Sequence, residues 1–207
     1  MNRFWRSKWT FRLLWLASAS PFAWLVWRWY WRDLGVNPLE YVARYTGSWA
    51  LRFLLLTLAI TPLRLIPGLS PLIKFRRMLG LFAFFYASLH AWHYFAIDIQ
   101  WNREILIEDL TIRRFFIAGM ISLLLMVPLA LTSFDRAIRW MGGERWRKLH
   151  RLVYASAIAA CAHYLWQGKA ATPTPRLYAA LTAALLLTRL VVSIRTRRWP
   201  RLRISQG

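Results

Sequence analysis

Six apolar runs of membrane length, joined by short basic connections, constrain this chain more than any other feature. They cover residues 11–31, 48–66, 79–99, 115–131, 149–166 and 177–194. A hydrocarbon core about 30 Å thick needs roughly 17–25 apolar residues in a helix that rises 1.5 Å per residue. Each run meets that length, 115–131 being the shortest. The expected fold class is therefore an all-α integral membrane protein, with six transmembrane helices in a single domain over residues 1–207. Arg28, Arg52, Arg64 and Arg189 interrupt the runs. Near a helix end such residues snorkel, keeping the guanidinium at the interface on a long apolar stem.

The composition agrees. Of the residues 58% are hydrophobic, against roughly 45–50% apolar in a soluble domain. That excess excludes a disordered chain, and one small soluble core cannot hide it. Yet 29 Lys and Arg stand against 8 Asp and Glu, a net charge of +21. With six spans, nineteen of those basic residues share one side. They are Arg3, Arg6, Lys8 and Arg12; Arg64, Lys74, Arg76 and Arg77; Arg136, Arg139, Arg145, Arg147, Lys148 and Arg151; and Arg195, Arg197, Arg198, Arg201 and Arg203. Asp135 and Glu144 are the only acids there, whereas the other side has nine basic residues and six acids. The positive-inside rule places both termini in the cytoplasm. A nucleic-acid binder would gather its basic residues on one face with modest hydrophobicity between them, and these punctuate apolar runs instead.

The start of the chain, basic and then apolar with Ala17-Ser18-Ala19-Ser20, resembles a signal peptide. The hydrophobic run continues through Phe22–Trp31, so it reads as an uncleaved first span. The one cysteine, Cys161, lies in the fifth run and excludes an intramolecular disulfide. Trp5, Trp9, Trp27, Trp29, Trp31, Trp101, Trp140, Trp146, Trp166 and Trp199 sit near run ends as an interfacial belt. No internal repeat or soluble domain is evident. The stretch 100–114 mixes Ile105, Leu106, Ile107 and Leu110 with Glu104, Glu108 and Asp109, and reads as a solvated loop or a short surface helix.

Chemistry rests on four histidines, His90 and His93 in the third run and His150 and His163 in the fifth. Ionisable groups inside a span are expensive and mark function by default, and imidazole is the usual axial ligand of haem iron. Counted from the cytoplasmic ends near Leu79 and Leu152, His90 and His163 each lie eleven residues in, about 16 Å along the helix. Two parallel helices offering one imidazole each at matched depth suit a macrocycle held edge-on between them. The alternative is a pair of core histidines bonded to serine or backbone. His150, thirteen residues before His163, sits at the cytoplasmic edge. It would serve a second haem, a flavin or a quinone. His93 is a substitute ligand, a propionate partner or a polar residue at the outer interface. Arg52 either pairs with propionates or snorkels. Arg76 and Arg77 either bind a flavin phosphate or anchor the cytoplasmic side. Gly80, Ala83, Ala87, Ser88, Ala155, Ala159 and Ala162 allow close helix or macrocycle approach.

Three motifs stand out: Arg76-Arg77-Met78-Leu79-Gly80-Leu81 with Ser88-Leu89-His90, Trp146-x-x-Leu149-His150-x-Leu152-Val153-Tyr154, and His163-Tyr164-Leu165-Trp166. With Thr46-Gly47-Ser48-Trp49-Ala50-Leu51, Thr61-Pro62-Leu63 and Leu129-Ala130-Leu131-Thr132-Ser133, they resemble the motifs of the MsrQ (YedZ) family within the ferric-reductase-like transmembrane domains. The resemblance runs from about Pro21 to Arg195. It implies a multi-pass subunit of the bacterial inner membrane that carries haem b and FMN. Such a subunit takes electrons from the quinone pool or a cytosolic flavin reductase. It passes them to a periplasmic molybdopterin methionine sulfoxide reductase, MsrP, which repairs oxidised proteins; the chemistry on sulfur belongs to that partner. It also implies that His90, His150 and His163 are the family histidines; the matched depth puts His90 and His163 on the haem iron. A cytochrome b subunit of another quinone-linked or ferric reductase is the alternative within redox chemistry. A transporter or a cofactor-free anchor is the alternative outside it, and the spans offer few polar residues for a substrate path.

Overall fold

In the computed structural model, which describes residues 7–167 and 173–198, every apolar run is helical. The helices are α1 (Lys8–Tyr30), α2 (Pro38–Leu63), α3 (Arg76–His93), α4 (Arg103–Ile112), α5 (Arg114–Leu131), α6 (Asp135–Met141), α7 (Gly143–Leu149), α8 (Leu152–Gln167) and α9 (Thr174–Arg198). A 3₁₀ segment, Ser70–Phe75, leads into α3, and a π turn, Tyr94–Asp98, follows it. No strand occurs among the described residues. Arg3, Trp5, Arg6, Trp199, Arg201 and Arg203, with the side chains of Arg195, Arg197 and Arg198, lie outside the described residues.

Local chemistry sets the ends. Helix α2 begins ten residues before the expected span because Asn37 caps it through Glu40 N–H and Pro38 occupies the first turn. Pro suits that position, since its missing N–H has no helical partner there. The stretch 100–114 is a helix rather than a loop. Asn102 caps α4 by accepting from the backbone N–H groups of Glu104 and Ile105.

Three helices are long and apolar enough to cross a membrane: Pro38–Leu63, Arg114–Leu131 and Thr174–Val192. The other three predicted spans form helices that fall short of that test. Five tryptophans with Lys8, Arg12 and Arg28 dilute α1. Helix α3 opens on Arg76 and Arg77, and α8 has only 16 residues.

The tightest packing joins α2 to α3 and α5 to α8. Phe53, Leu54, Leu58, Met78, Ala83 and Tyr86 fill the first seam, and Met126, Leu129, Val153 and Ala157 continue it into the second. Ser122 on α5 and Ser156 on α8 exchange hydrogen bonds, each hydroxyl donating to the other's carbonyl at 2.9 and 3.1 Å. Helix α1 is tied on at its proline. Pro21 has no N–H for the Ala17 carbonyl, and the Ser20 hydroxyl donates to it instead. The buried Tyr86 hydroxyl sits between the Phe22 N–H and the Ser18 carbonyl, replacing a ladder bond with a link to α3.

Arg189 does not snorkel. It is buried on α9 and spends its guanidinium on the Leu58 carbonyl (2.8 and 3.2 Å), the Thr61 hydroxyl (2.6 Å) and the Tyr154 hydroxyl (2.7 Å). One cation thus fastens α9 to α2 and α8. Hydrogen bonds to a charged group contribute about 1.5–3 kcal/mol each, less where the unfolded reference remains in lipid.

Replacing Arg189 by Ala is expected to lower the melting midpoint of the detergent-solubilised protein. Arg189→Lys should recover little of it, because an ammonium lacks the planar fork that spans these acceptors. A double-mutant cycle of Ser122→Ala and Ser156→Ala should give a coupling of about 1 kcal/mol in the same melts.

Candidate functional site

His90 on α3 and His163 on α8, expected at one depth, face each other. Their ring centroids are 6.0 Å apart and their planes cross at 77°. Each ring is held the same way. His90 Nδ1 lies 2.9 Å from the Ala43 carbonyl of α2, and His163 Nδ1 lies 2.8 Å from the Phe115 carbonyl of α5. A carbonyl only accepts, so Nδ1 carries the proton and the Nε2 lone pair is left free in both rings.

The reach to those carbonyls depends on two glycines. A helical side chain leans toward the N-terminus and covers the turn before it, so residue 47 would cover the carbonyl of 43 and residue 119 that of 115. Both positions are glycine. A Cβ at Gly47 would lie 3.2 Å from the His90 ring, and one at Gly119 would lie 2.7 Å from His163 Nδ1. The second distance is inside contact range.

Such a pair suits an octahedral metal with two axial imidazoles. Metal–nitrogen bonds of about 2 Å and a ring radius of about 1.1 Å place coaxial ring centroids roughly 6 Å apart. The two rings already have that separation. Among the described residues no group of three His, Cys, Asp or Glu side chains could hold a bare metal ion. The donor set therefore fits a metal that brings its own equatorial ligands.

Toward the C-terminal end of α3, beyond this pair, two polar side chains are buried. His93, expected either near the outer interface or against a cofactor, is 4% exposed. Its Nδ1 is 3.6 Å from the Asp98 carboxylate, beyond hydrogen-bonding range. Asp109 is fully buried, accepts from the Tyr94 hydroxyl and pairs with Arg113 at 2.9 Å, which fixes α4 beside the π turn.

Around the N-terminal ends of α3 and α8 a cavity of about 1050 Å³ opens between α1, α3, α5 and α8. Its walls are apolar, with Trp15, Phe22, Phe82, Phe85 and Leu129, while Arg76, Arg77, Ser133 and His150 line its polar end. His150 stacks on Trp146 with ring centroids 3.9 Å apart. Its Nε2 is 3.1 Å from Thr132 Oγ1. The Thr132 hydroxyl donates to the Pro128 carbonyl, so its oxygen accepts from Nε2–H and leaves Nδ1 as the free acceptor. Arg77 pairs with Asp135 at 2.7 Å.

Of the expected site residues, His90 and His163 come together. His150 and Arg77 share the inner cavity instead. Arg52 joins neither, being exposed, with Nε donating to the Tyr178 hydroxyl at 3.1 Å and the guanidinium over the Trp49 ring. Sequence reasoning did not single out Ala43, Phe115 or Gly119. Gly47 stood in a quoted motif without a role.

Residues 46–161 match the family described as ferric reductase like transmembrane component. The chain is 42% identical over 184 residues to the protein-methionine-sulfoxide reductase heme-binding subunit MsrQ of Caulobacter vibrioides, covering 89% of this chain and 88% of that one. It is 42% identical over 183 residues to MsrQ of Rhodospirillum rubrum, covering 88% of each chain. With MsrQ of Azospira oryzae the identity is 47% over 173 residues, covering 82% of this chain and 74% of that one.

Proposed function

The chain belongs to the MsrQ family, and from that membership we propose that it is the haem b-carrying electron-transfer subunit of a methionine sulfoxide reductase system. The observation that carries the proposal is the His90–His163 pair, with rings 6.0 Å apart and each Nδ1 on a backbone carbonyl. When bound, haem iron supplies a one-electron couple. His90 and His163 would hold that iron through Nε2. The Ala43 and Phe115 carbonyls orient the rings, fix their tautomer and raise their basicity as ligands. Tight α2–α3 and α5–α8 seams keep water from the pair.

The subunit spans the bacterial inner membrane six times with both termini in the cytoplasm; the basic bias of one set of connections supports this orientation. A short helix such as α8, with 16 residues, is tolerated where the bilayer thins locally, and the π turn Tyr94–Asp98 lengthens α3. Electrons come from the quinone pool at the cavity that His150 lines. An apolar chamber with a hydrogen-bond acceptor at one end suits a hydroxylated ring on a lipophilic tail. The basic rim of Arg76 and Arg77 also suits a flavin phosphate, so FMN, or a flavin reductase docking from the cytoplasm, belongs to this end. A second haem suits it less, because His150 Nε2 is already bonded to Thr132. On the outer side the acceptor is a periplasmic MsrP-type molybdopterin reductase, which returns methionine sulfoxide to an apolar thioether.

The purified full chain is expected to show a reduced-minus-oxidised b-type haem spectrum. His90→Ala and His163→Ala should each lose it. His150→Ala should keep it and slow reduction by a quinol analogue more than tenfold. Normal haem signals in both His90→Ala and His163→Ala would overturn the ligand assignment. Loss of haem in His150→Ala would return His150 to a ligand role.

A further inference from the structure

The two histidines are supported by one repeated device. In each case a helix presents a carbonyl to the imidazole of the helix packed against it, and a glycine four residues later leaves that carbonyl uncovered. The pairs are Ala43 with Gly47 for His90, and Phe115 with Gly119 for His163. A carbonyl has two lone pairs, so each can take the imidazole N–H besides its own helical bond. The contact fixes more than position. A ring anchored at Nδ1 and occupying the space that a Cβ would fill has little freedom to turn about the axis of its Nε2 lone pair. The two anchors come from different helix pairs, and the planes they impose cross at 77°.

We infer that Gly47 and Gly119 are positioning residues that hold the two axial imidazoles crossed, and that Gly119 is the more stringent of the two. The inference rests on the haem reading above. It does not follow from helix packing, because glycine in a helix interior is destabilising relative to alanine. A glycine kept only for packing would show an ordinary neighbour at its missing Cβ. Gly80 is such a case, since a Cβ there would meet only Thr57 at 3.7 Å. At Gly119 the added atom would fall 2.7 Å from the nitrogen that anchors His163, so either the ring turns or the hydrogen bond breaks. At Gly47 the distance is 3.2 Å, and a shift of a few tenths of an ångström relieves it.

The readout is the electron paramagnetic resonance of the ferric haem in the purified full chain. Crossed imidazole planes leave two iron orbitals nearly equal in energy and give one strongly anisotropic low-field line; aligned planes give a compact rhombic spectrum. The wild type is expected to show the anisotropic line. Gly119→Ala should lose it, through conversion to a rhombic or a high-spin signal, with haem still bound. Gly47→Ala should move it by a smaller amount, and Gly80→Ala should leave it in place. Melting midpoints of the same proteins separate misfolding from a changed ring setting. An unchanged anisotropic line in Gly119→Ala, or a rhombic wild type, overturns the inference while the haem reading stands. If His90→Ala and His163→Ala retain the wild-type line, the haem reading fails, and this inference with it.

Discussion

Everything at the centre of this bundle depends on two hydrogen bonds from imidazole to backbone carbonyl, His90 to Ala43 and His163 to Phe115. Each settles three things. It fixes which ring nitrogen keeps its proton, it sets the ring's direction, and it requires α2 to lie against α3, and α5 against α8, closely enough for a ring to replace a side chain. Packing follows that demand. The Ser122–Ser156 exchange draws α5 and α8 together one turn from Gly119, and the Phe53–Tyr86 stack, 5.4 Å between centroids, does the same for α2 and α3.

Charge is organised around this apolar centre. Most of the basic residues behind the +21 lie on the connections between apolar runs. Arg189 is different, because a buried cation with no carboxylate beside it must be met by dipoles. The Leu58 carbonyl and the hydroxyls of Thr61 and Tyr154 meet it. The arrangement ties α9 to the two helix pairs at the same end of the bundle as the His150 cavity. The polar groups of this end, Arg76, Arg77, His150 and Arg189, thus lie apart from the apolar waist around the histidine pair.

Much of this was legible in the sequence. Apolar length identified where helices form, three of them long and apolar enough to cross a membrane. Equal spacing from the starts of their apolar runs brought His90 and His163 to one level, because helical rise converts residue number into distance along the axis. What stayed hidden depends on contacts between helices. Arg189 looks like a snorkelling residue until the Leu58 carbonyl is known to face it. Arg52 looks like a propionate partner until Tyr178 takes its Nε. Gly47 and Gly119 look like ordinary small residues until a ring is seen against each Cα. His93 is one turn from His90, and only the fold shows that it is buried. The early start of α2 was written in Asn37 and Pro38, but a search for apolar length passes over a polar first turn holding Glu40 and Arg44.

The central claim is that His90 and His163 are the two axial donors to one haem iron. Near-infrared magnetic circular dichroism of the oxidised full chain tests it most directly, because the ligand-to-iron charge-transfer band reports the chemical identity of both donors. Ligation by this pair predicts a low-spin band at the energy of two neutral imidazoles. A band typical of imidazole with thioether or amine, or a high-spin spectrum with one histidine, would contradict it.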